Sequence, residues 1–162
     1  MAKQTMPDFK KLVADYHHRL TNGQRADLRK ADEPDALLDI PAFYYLLQST
    51  GLKPGLQAGR LIYFLPYVDH KDGAESLGLQ MQQQDISEKR LFQVVRADSP
   101  DDLVFLRRLA IQMKPTVDWQ EFGRMLFYWG ENAKWSKRQL LQNYYLQPQK
   151  DTKKQTNKEE LP

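Results

Sequence analysis

"SEKRLFQVVRADSPDDLVFLRRLA", Ser87–Ala110, carries two helical patterns in succession and five basic residues among the apolar ones. In the first, Leu91, Val94 and Val95 recur at three- and four-residue spacing, while Lys89, Gln93 and Arg96 align at i, i+4 and i+7 with Arg90 nearby. In the second, Leu103, Leu106, Leu109, Ala110 and Met113 form one apolar arc at about 100° per residue. Arg107 falls on the flank of that arc and Arg108 points nearly opposite to it. Ser87 fits an N-cap for the first helix. Ser99, with Pro100 next and Asp102 three on, resembles a capping box for the second. The stretch therefore predicts two amphipathic helices, each with a basic outer face.

Working outward, the same period continues. Phe9, Leu12, Val13, Tyr16 and Leu20 in "DFKKLVADYHHRL" are spaced for a helix, which Asn22-Gly23 is expected to end. "QRADLRKADEPDALLDIPAFYYLLQ" reads as short helices restarted by Pro34 and Pro41, each tolerable at a first helical position. "GLQAGRLIYFLPYV" is apolar enough for a core helix, and "DHKDGAESLG" is the clearest loop. Asp118, with Glu121 three on, caps "WQEFGRMLFYW", and a last helix runs through "KWSKRQLLQNYYL". No alternating run of useful length suggests a sheet. The expected fold is an all-α helical bundle of roughly eight or nine helices in two lobes sharing a core. The expected division is an N-terminal lobe 1–85, a C-terminal bundle 86–146 and a disordered tail 147–162.

With 162 residues, of which 41% are hydrophobic and 11% aromatic, the chain can bury a core. Its net charge of +3 is a modest excess, so clustering rather than total charge must argue for a nucleic-acid partner. No cysteine is present, which removes disulfides, thiol catalysis and thiolate metal sites. The N-terminal residues lack an apolar signal-peptide core and no stretch approaches a membrane span, so a cytoplasmic protein without membrane contact is expected.

Catalysis needs convergent groups, and the sequence offers no such set. His17 and His18 are adjacent and diverge by about 100° on a helix, so they do not share a metal. His70 lies in a loop with Asp69 and Asp72, where solvation is the ordinary role. There is no glycine-rich phosphate loop, no G-x-S-x-G and no H-E-x-x-H. Asp102, Asp118 and Glu121 stand at helix starts, where carboxylates oppose the dipole and cap amides. No enzyme, metal or cofactor is expected.

The basic residues remain. Besides Lys89, Arg90, Arg96, Arg107 and Arg108, the inventory holds Arg25, Arg29, Lys30, Lys53, Arg60, Lys134, Lys137 and Arg138. Aromatics interleave with the last three: Trp129, Trp135, Tyr144 and Tyr145. On the wheels alone two readings stand. The arginines snorkel over hydrophobic edges and solubilise the bundle, or they form a track for phosphates. The aromatics divide likewise between core and base stacking.

The blocks "EPDALLDIPAFYYLLQ", "EKRLFQVVRAD", "LVFLRRL", "VDWQEFGRMLFYWG" and "RQLLQNYYL", in this order and spacing, resemble the CasB family, the small subunit of the type I-E CRISPR surveillance complex Cascade. The resemblance spans Arg25 to Leu146. It departs at the first helix, the 68–76 loop and the tail, and Leu79 stands where relatives often carry an arginine. What it implies is an all-α subunit without catalysis of its own, acting in antiviral defence. Two copies would lie beside the backbone and large subunits, holding the heteroduplex of guide CRISPR RNA and target DNA together with the displaced strand. Guide pairing supplies sequence in such a complex, so the protein needs only positive charge along the phosphates. On that footing Arg29, Lys30, Lys53, Arg60, Lys89, Arg90, Arg96, Arg107, Arg108, Lys134, Lys137 and Arg138 are expected to contact nucleic acid. Alternatives are a helical DNA-binding regulator, disfavoured because no recognition helix exposes polar base readers, and a helical interaction subunit without nucleic-acid contact.

Overall fold

The computed structural model describes residues 6–130 and 132–146, so the predicted disordered tail 147–162 lies outside the described residues. In chain order the helices are α1 (Phe9–Arg19), α2 (Asn22–Leu28), a 3-10 helix (Pro34–Asp39), α3 (Pro41–Thr50), α4 (Leu56–Phe64), α5 (Leu77–Gln83), α6 (Glu88–Arg96), α7 (Asp101–Met113), α8 (Trp119–Phe127) and α9 (Ala133–Tyr145). The fold is all-α. The only extended pairing among the described residues is β1 (Asp69–His70) alongside β2 (Thr116–Val117), a two-residue parallel bridge.

The helix boundaries follow from local chemistry. Asp8 accepts from Lys11 N at the start of α1, and Ser87 accepts from Arg90 N at the start of α6. Pro34 and Pro41 open their helices, where a missing N–H costs nothing. Two expectations fail here. Asn22-Gly23 does not end α1 but lies in the first turn of α2, because Thr21 and Gln24 form a reciprocal capping box on either side of it. Ser99 is not the cap of α7. Pro100 takes that position, and the Ser99 hydroxyl donates to Asp102, whose carboxylate has turned inward.

One buried cluster runs from Phe9 to Tyr144 and unites residues on both sides of position 85. α1 and α4 pack on α8, α5 packs on α9, and α6 pairs with α7. Gly78 permits the α5–α9 approach. A Cβ there would lie 2.6 Å from Leu140 O and 2.8 Å from Asn143 Cβ, distances that backbone cannot yield. Leu79, beside it, is buried. α4 is enclosed on all sides from Ala58 to Phe64, as its apolar sequence predicts. No helix of the described residues is long and apolar enough to cross a membrane.

Candidate nucleic-acid interface

α6 and α7 form a helical hairpin. Leu91 and Val94 of α6, with Leu103, Leu106, Leu109, Ala110 and Met113 of α7, face the core. Lys89, Gln93 and Arg96 face out, as does Arg108. The Arg96 guanidinium lies 4.7 Å from the centre of the Phe92 ring, four residues back on the same helix. That of Arg108 lies 5.5 Å from Phe105, three residues back. A guanidinium resting on a ring loses rotamer freedom while its edge donors stay in solvent. Neither arginine pairs with a described carboxylate. Arg90 is half-buried and donates to Gln112 across the hairpin.

Arg107 leaves the outer face, as its flank position allows. It donates to Arg29 O at 3.2 Å and Tyr67 Oη at 3.0 Å, and lies over the Tyr63 and Tyr67 rings. Its Nε is buried with no hydrogen-bond partner. This contact brings the end of α2 beside α7, so the exposed Arg29 and Lys30 adjoin the hairpin; Lys30 pairs with Asp27 at 3.1 Å. Burial, together with the weaker opposing effect of Arg107, leaves the Tyr63 hydroxyl pushed up to about 12. Arg25 is occupied in capping α1, donating to the carbonyls of Tyr16, His17 and Leu20.

Two of the twelve expected contacts belong to the interior. Arg60 is 5% exposed; its Nε and Nη2 each donate at 2.7 Å, to Leu126 O and Phe127 O. These are the last carbonyls of α8, which carry the negative end of the helix dipole; Leu126 O also accepts from Trp129 N at 3.2 Å. Because α4 is buried all round from Ala58 to Phe64, a cation within that span must find its partner inside. Lys137, with a side chain 14% exposed, places Nζ 3.0 Å from Asp102 Oδ2 and 2.8 Å from Ala97 O. Asp102 is 1% exposed and also accepts from Trp129 Nε1 at 2.8 Å and from Leu103 N at 2.7 Å. It is the hub that ties α7, the turn after α8 and α9. Arg60 and Lys137 are thus corrections to the expected surface.

Lys134 and Arg138 are exposed on one stripe of α9, and Lys53 is exposed in the turn after α3. Trp129 is fully buried and Tyr144 nearly so, which settles both as core; Trp135 is half-buried and Tyr145 exposed. Sequence reading overlooked Arg124, exposed on α8 with its guanidinium 5.6 Å from the centre of the Trp135 ring. Its i, i+4 relation to Gln120, away from Phe122, Met125 and Leu126, was the available signal.

His70, Asp72 and Asp118 lie close enough for their ligand atoms to surround an ion. Their bonds argue otherwise. A backbone N–H only donates, so Trp119 N, 2.9 Å from His70 Nδ1, fixes the proton on Nε2, which donates to Asp72 Oδ1 at 2.7 Å. Asp118 accepts from Gln120 N and Gly73 N, each at 3.0 Å. The His70 hydrogen bond, with the charge of Lys10, holds the Asp72 carboxyl below its ordinary value. These groups order the start of α8 and leave no ring lone pair for a metal.

Comparison with known proteins adds three findings. The family model described as CRISPR-associated protein Cse2 matches residues 24–145. The chain is 37% identical over 147 residues to CRISPR system Cascade subunit CasB of Escherichia coli strain K12, covering 82% of this chain and 90% of that one. It is also similar to a chain in the crystal structure of E. coli Cascade bound to a PAM-containing dsDNA target, with TM-score 0.80 and 35% identity over 89% of this chain and all of the other.

Proposed function

The chain belongs to the CRISPR-associated Cse2 family, and from that membership we propose that it is the non-catalytic small subunit of a type I-E CRISPR surveillance complex, supporting guide–target heteroduplex and displaced strand through a basic surface. The observation that carries the reading is the hairpin: Lys89, Arg96 and Arg108 face solvent without a carboxylate partner among the described residues, and both arginines rest on phenylalanines. Preoriented guanidinium edges bind phosphate without reading bases, which suits a complex whose sequence information lies in its guide. Arg29 and Lys30 extend the hairpin surface, and Lys53, Lys134 and Arg138 offer further contacts. Arg90 and Arg107 contribute mainly by holding the surface in shape. The partners are the backbone and large subunits, guide RNA, target DNA and a second copy of the chain, in the cytoplasm. Cleavage belongs to another protein.

The test is reconstitution. A complex assembled with and without this chain is challenged with matched duplex DNA, and the lifetime of the opened duplex is measured. Shortened lifetime without the chain supports the proposal. Failure of the chain to co-purify with the large subunits and a short RNA, or an unchanged lifetime, overturns it.

A further inference from the structure

A cavity of about 480 Å³ opens where α5, α8 and α9 meet. Its floor is apolar, with Leu77, Val117, Phe122, Met125 and Leu140. Trp135 and Arg124 form one wall, with the guanidinium against the indole and Tyr128 edge-on behind at 6.0 Å. The rim carries the amides Gln120, Gln139 and Asn143 and the carboxylates Asp118 and Glu121. Outside it, on the adjoining stripe of α9, stand the exposed Lys134 and Arg138.

We propose that this cavity receives a single unpaired nucleobase of a strand whose phosphates follow Lys134 and Arg138. The inference rests on the nucleic-acid role proposed above and names a second, base-contacting site within it. The volume lies toward the small end of the range for small-molecule clefts, about 300–1,000 Å³, which suits one flat group and excludes a helix. An indole and a guanidinium plane are the surfaces on which unstacked bases rest. Amides offer both donors and acceptors to a base edge, whichever base arrives. The carboxylates decide the orientation. Asp118 and Glu121 outnumber the single guanidinium of Arg124 in the cavity lining, whereas Lys134 and Arg138 attract a phosphate just outside it, so the base enters and the backbone stays out.

The experiment uses the full chain and two short single strands of equal length and charge, an oligothymidylate and the same strand with abasic central positions. The base-bearing strand should bind about fivefold or more tightly, and Trp135→Ala should erase that difference while leaving abasic binding unchanged. Trp135→Phe should retain part of the preference. Lys134→Ala with Arg138→Ala should weaken both strands alike. Should Trp135→Ala melt early, Gln139→Phe, which fills the cavity from α9, should give the same loss of preference. Equal, salt-sensitive binding of both strands by the wild-type chain, or a preference that survives a filled cavity, overturns the base site and leaves the phosphate surface standing. Binding of neither strand at any salt concentration counts against the phosphate surface itself, and the base site falls with it.

Discussion

The outer face of the α6–α7 hairpin and the junction of α4 with the end of α8 both depend on arginine, and they use it in opposite directions. On the hairpin Arg96 and Arg108 rest on Phe92 and Phe105 and point their donors into solvent. At the junction Arg60 spends its donors on the closing carbonyls of α8, and Gly130 leaves it room: a Cβ there would lie 2.5 Å from Arg60 Nη1. What decides between them is the helix that carries the residue. α6 is polar over half its surface, so its cations are free to face outward. α4 is buried on every side from Ala58 to Phe64, so its cation is drawn in and paired. The number of arginines says little about a nucleic-acid surface until each has been assigned to one of these two settings.

The interior setting is the one mutation should break hardest. Asp102→Ala removes the only described carboxylate on the largely covered Lys137 and orphans Trp129 Nε1, so unfolding free energy should drop by about 3–5 kcal/mol, read from urea melts. Replacing both charges, Asp102→Leu with Lys137→Met, should cost less than the single change, because no buried charge is then left alone. Trp129→Ala belongs to the same range, about 3–5 kcal/mol, since the ring is fully buried. Unchanged stability in that variant with lost DNA binding would instead make Trp129 a stacking residue.

Next comes Arg60 itself. Arg60→Met keeps most of the volume but leaves the Leu126 and Phe127 carbonyls without this donor. Leu126 O keeps Trp129 N as a donor at 3.2 Å, so the expected loss is about 1–3 kcal/mol, chiefly from the Phe127 carbonyl, with nucleic-acid binding by the surviving folded fraction intact. A variant that melts like wild type but binds poorly would move Arg60 to the outer class and erase the contrast.

A smaller, pH-dependent effect is expected where α1 meets α3. Burial alone would raise the Asp15 carboxyl, but the hydrogen bonds from Ser49 and Lys11 and the charges of Lys11 and Arg19 outweigh it, so the group lies below its ordinary value. A carboxyl depressed in the folded state stabilises fully above its unfolded pKa, about 3.9, and that contribution is lost as pH falls through the folded value. As pH falls below the ordinary carboxyl value, about 3.9, Asp15→Asn should therefore lose less melting temperature than wild type. An identical acid profile in both proteins would show that the Ser49–Asp15–Lys11 contacts carry no linkage.

Much of this was open to reading in the chain. Helical spacing announced the bundle, Pro34 and Pro41 marked two helix starts, and the hairpin wheels placed Arg96, Arg108 and Lys89 outward. Arg60 was misread, although its position inside "GLQAGRLIYFLPYV" was the clue: a cation on an all-apolar helix has no solvent face to reach. Lys137 was not legible, because its partner Asp102 lies 35 positions earlier and turns inward only when Pro100 takes the cap. Nor was the cavity beside Trp135, which three helices assemble from residues spread over positions 76–143. Local pattern fixes which way a helix faces; which charges meet inside depends on the packing of distant segments.

The smallest effect on stability, and the most telling for function, belongs to the hairpin pair. Arg96→Ala with Arg108→Ala removes two exposed guanidiniums that hold no described ion pair, so the main loss is the ring contacts, and the melting free energy should change by no more than about 1 kcal/mol per site, the upper end for exposed cation–π pairs. The opened-duplex lifetime in the assembled complex should nevertheless shorten. Exchange of a DNA duplex for a guide heteroduplex is close to balanced, and a few lost backbone contacts can tip it back. Lower ionic strength should restore part of the lifetime, because the remaining Lys89, Arg29 and Lys30 then act over a longer screening distance. The same salt change should do nothing for Arg60→Met, whose defect lies in folding. A double mutant that melts early would assign Arg96 and Arg108 to the fold. One that is stable, with an unaltered lifetime at both salt concentrations, would reduce them to solvated cover for Phe92 and Phe105, and the hairpin would then differ from the α4 junction in where its arginines point but not in what they bind.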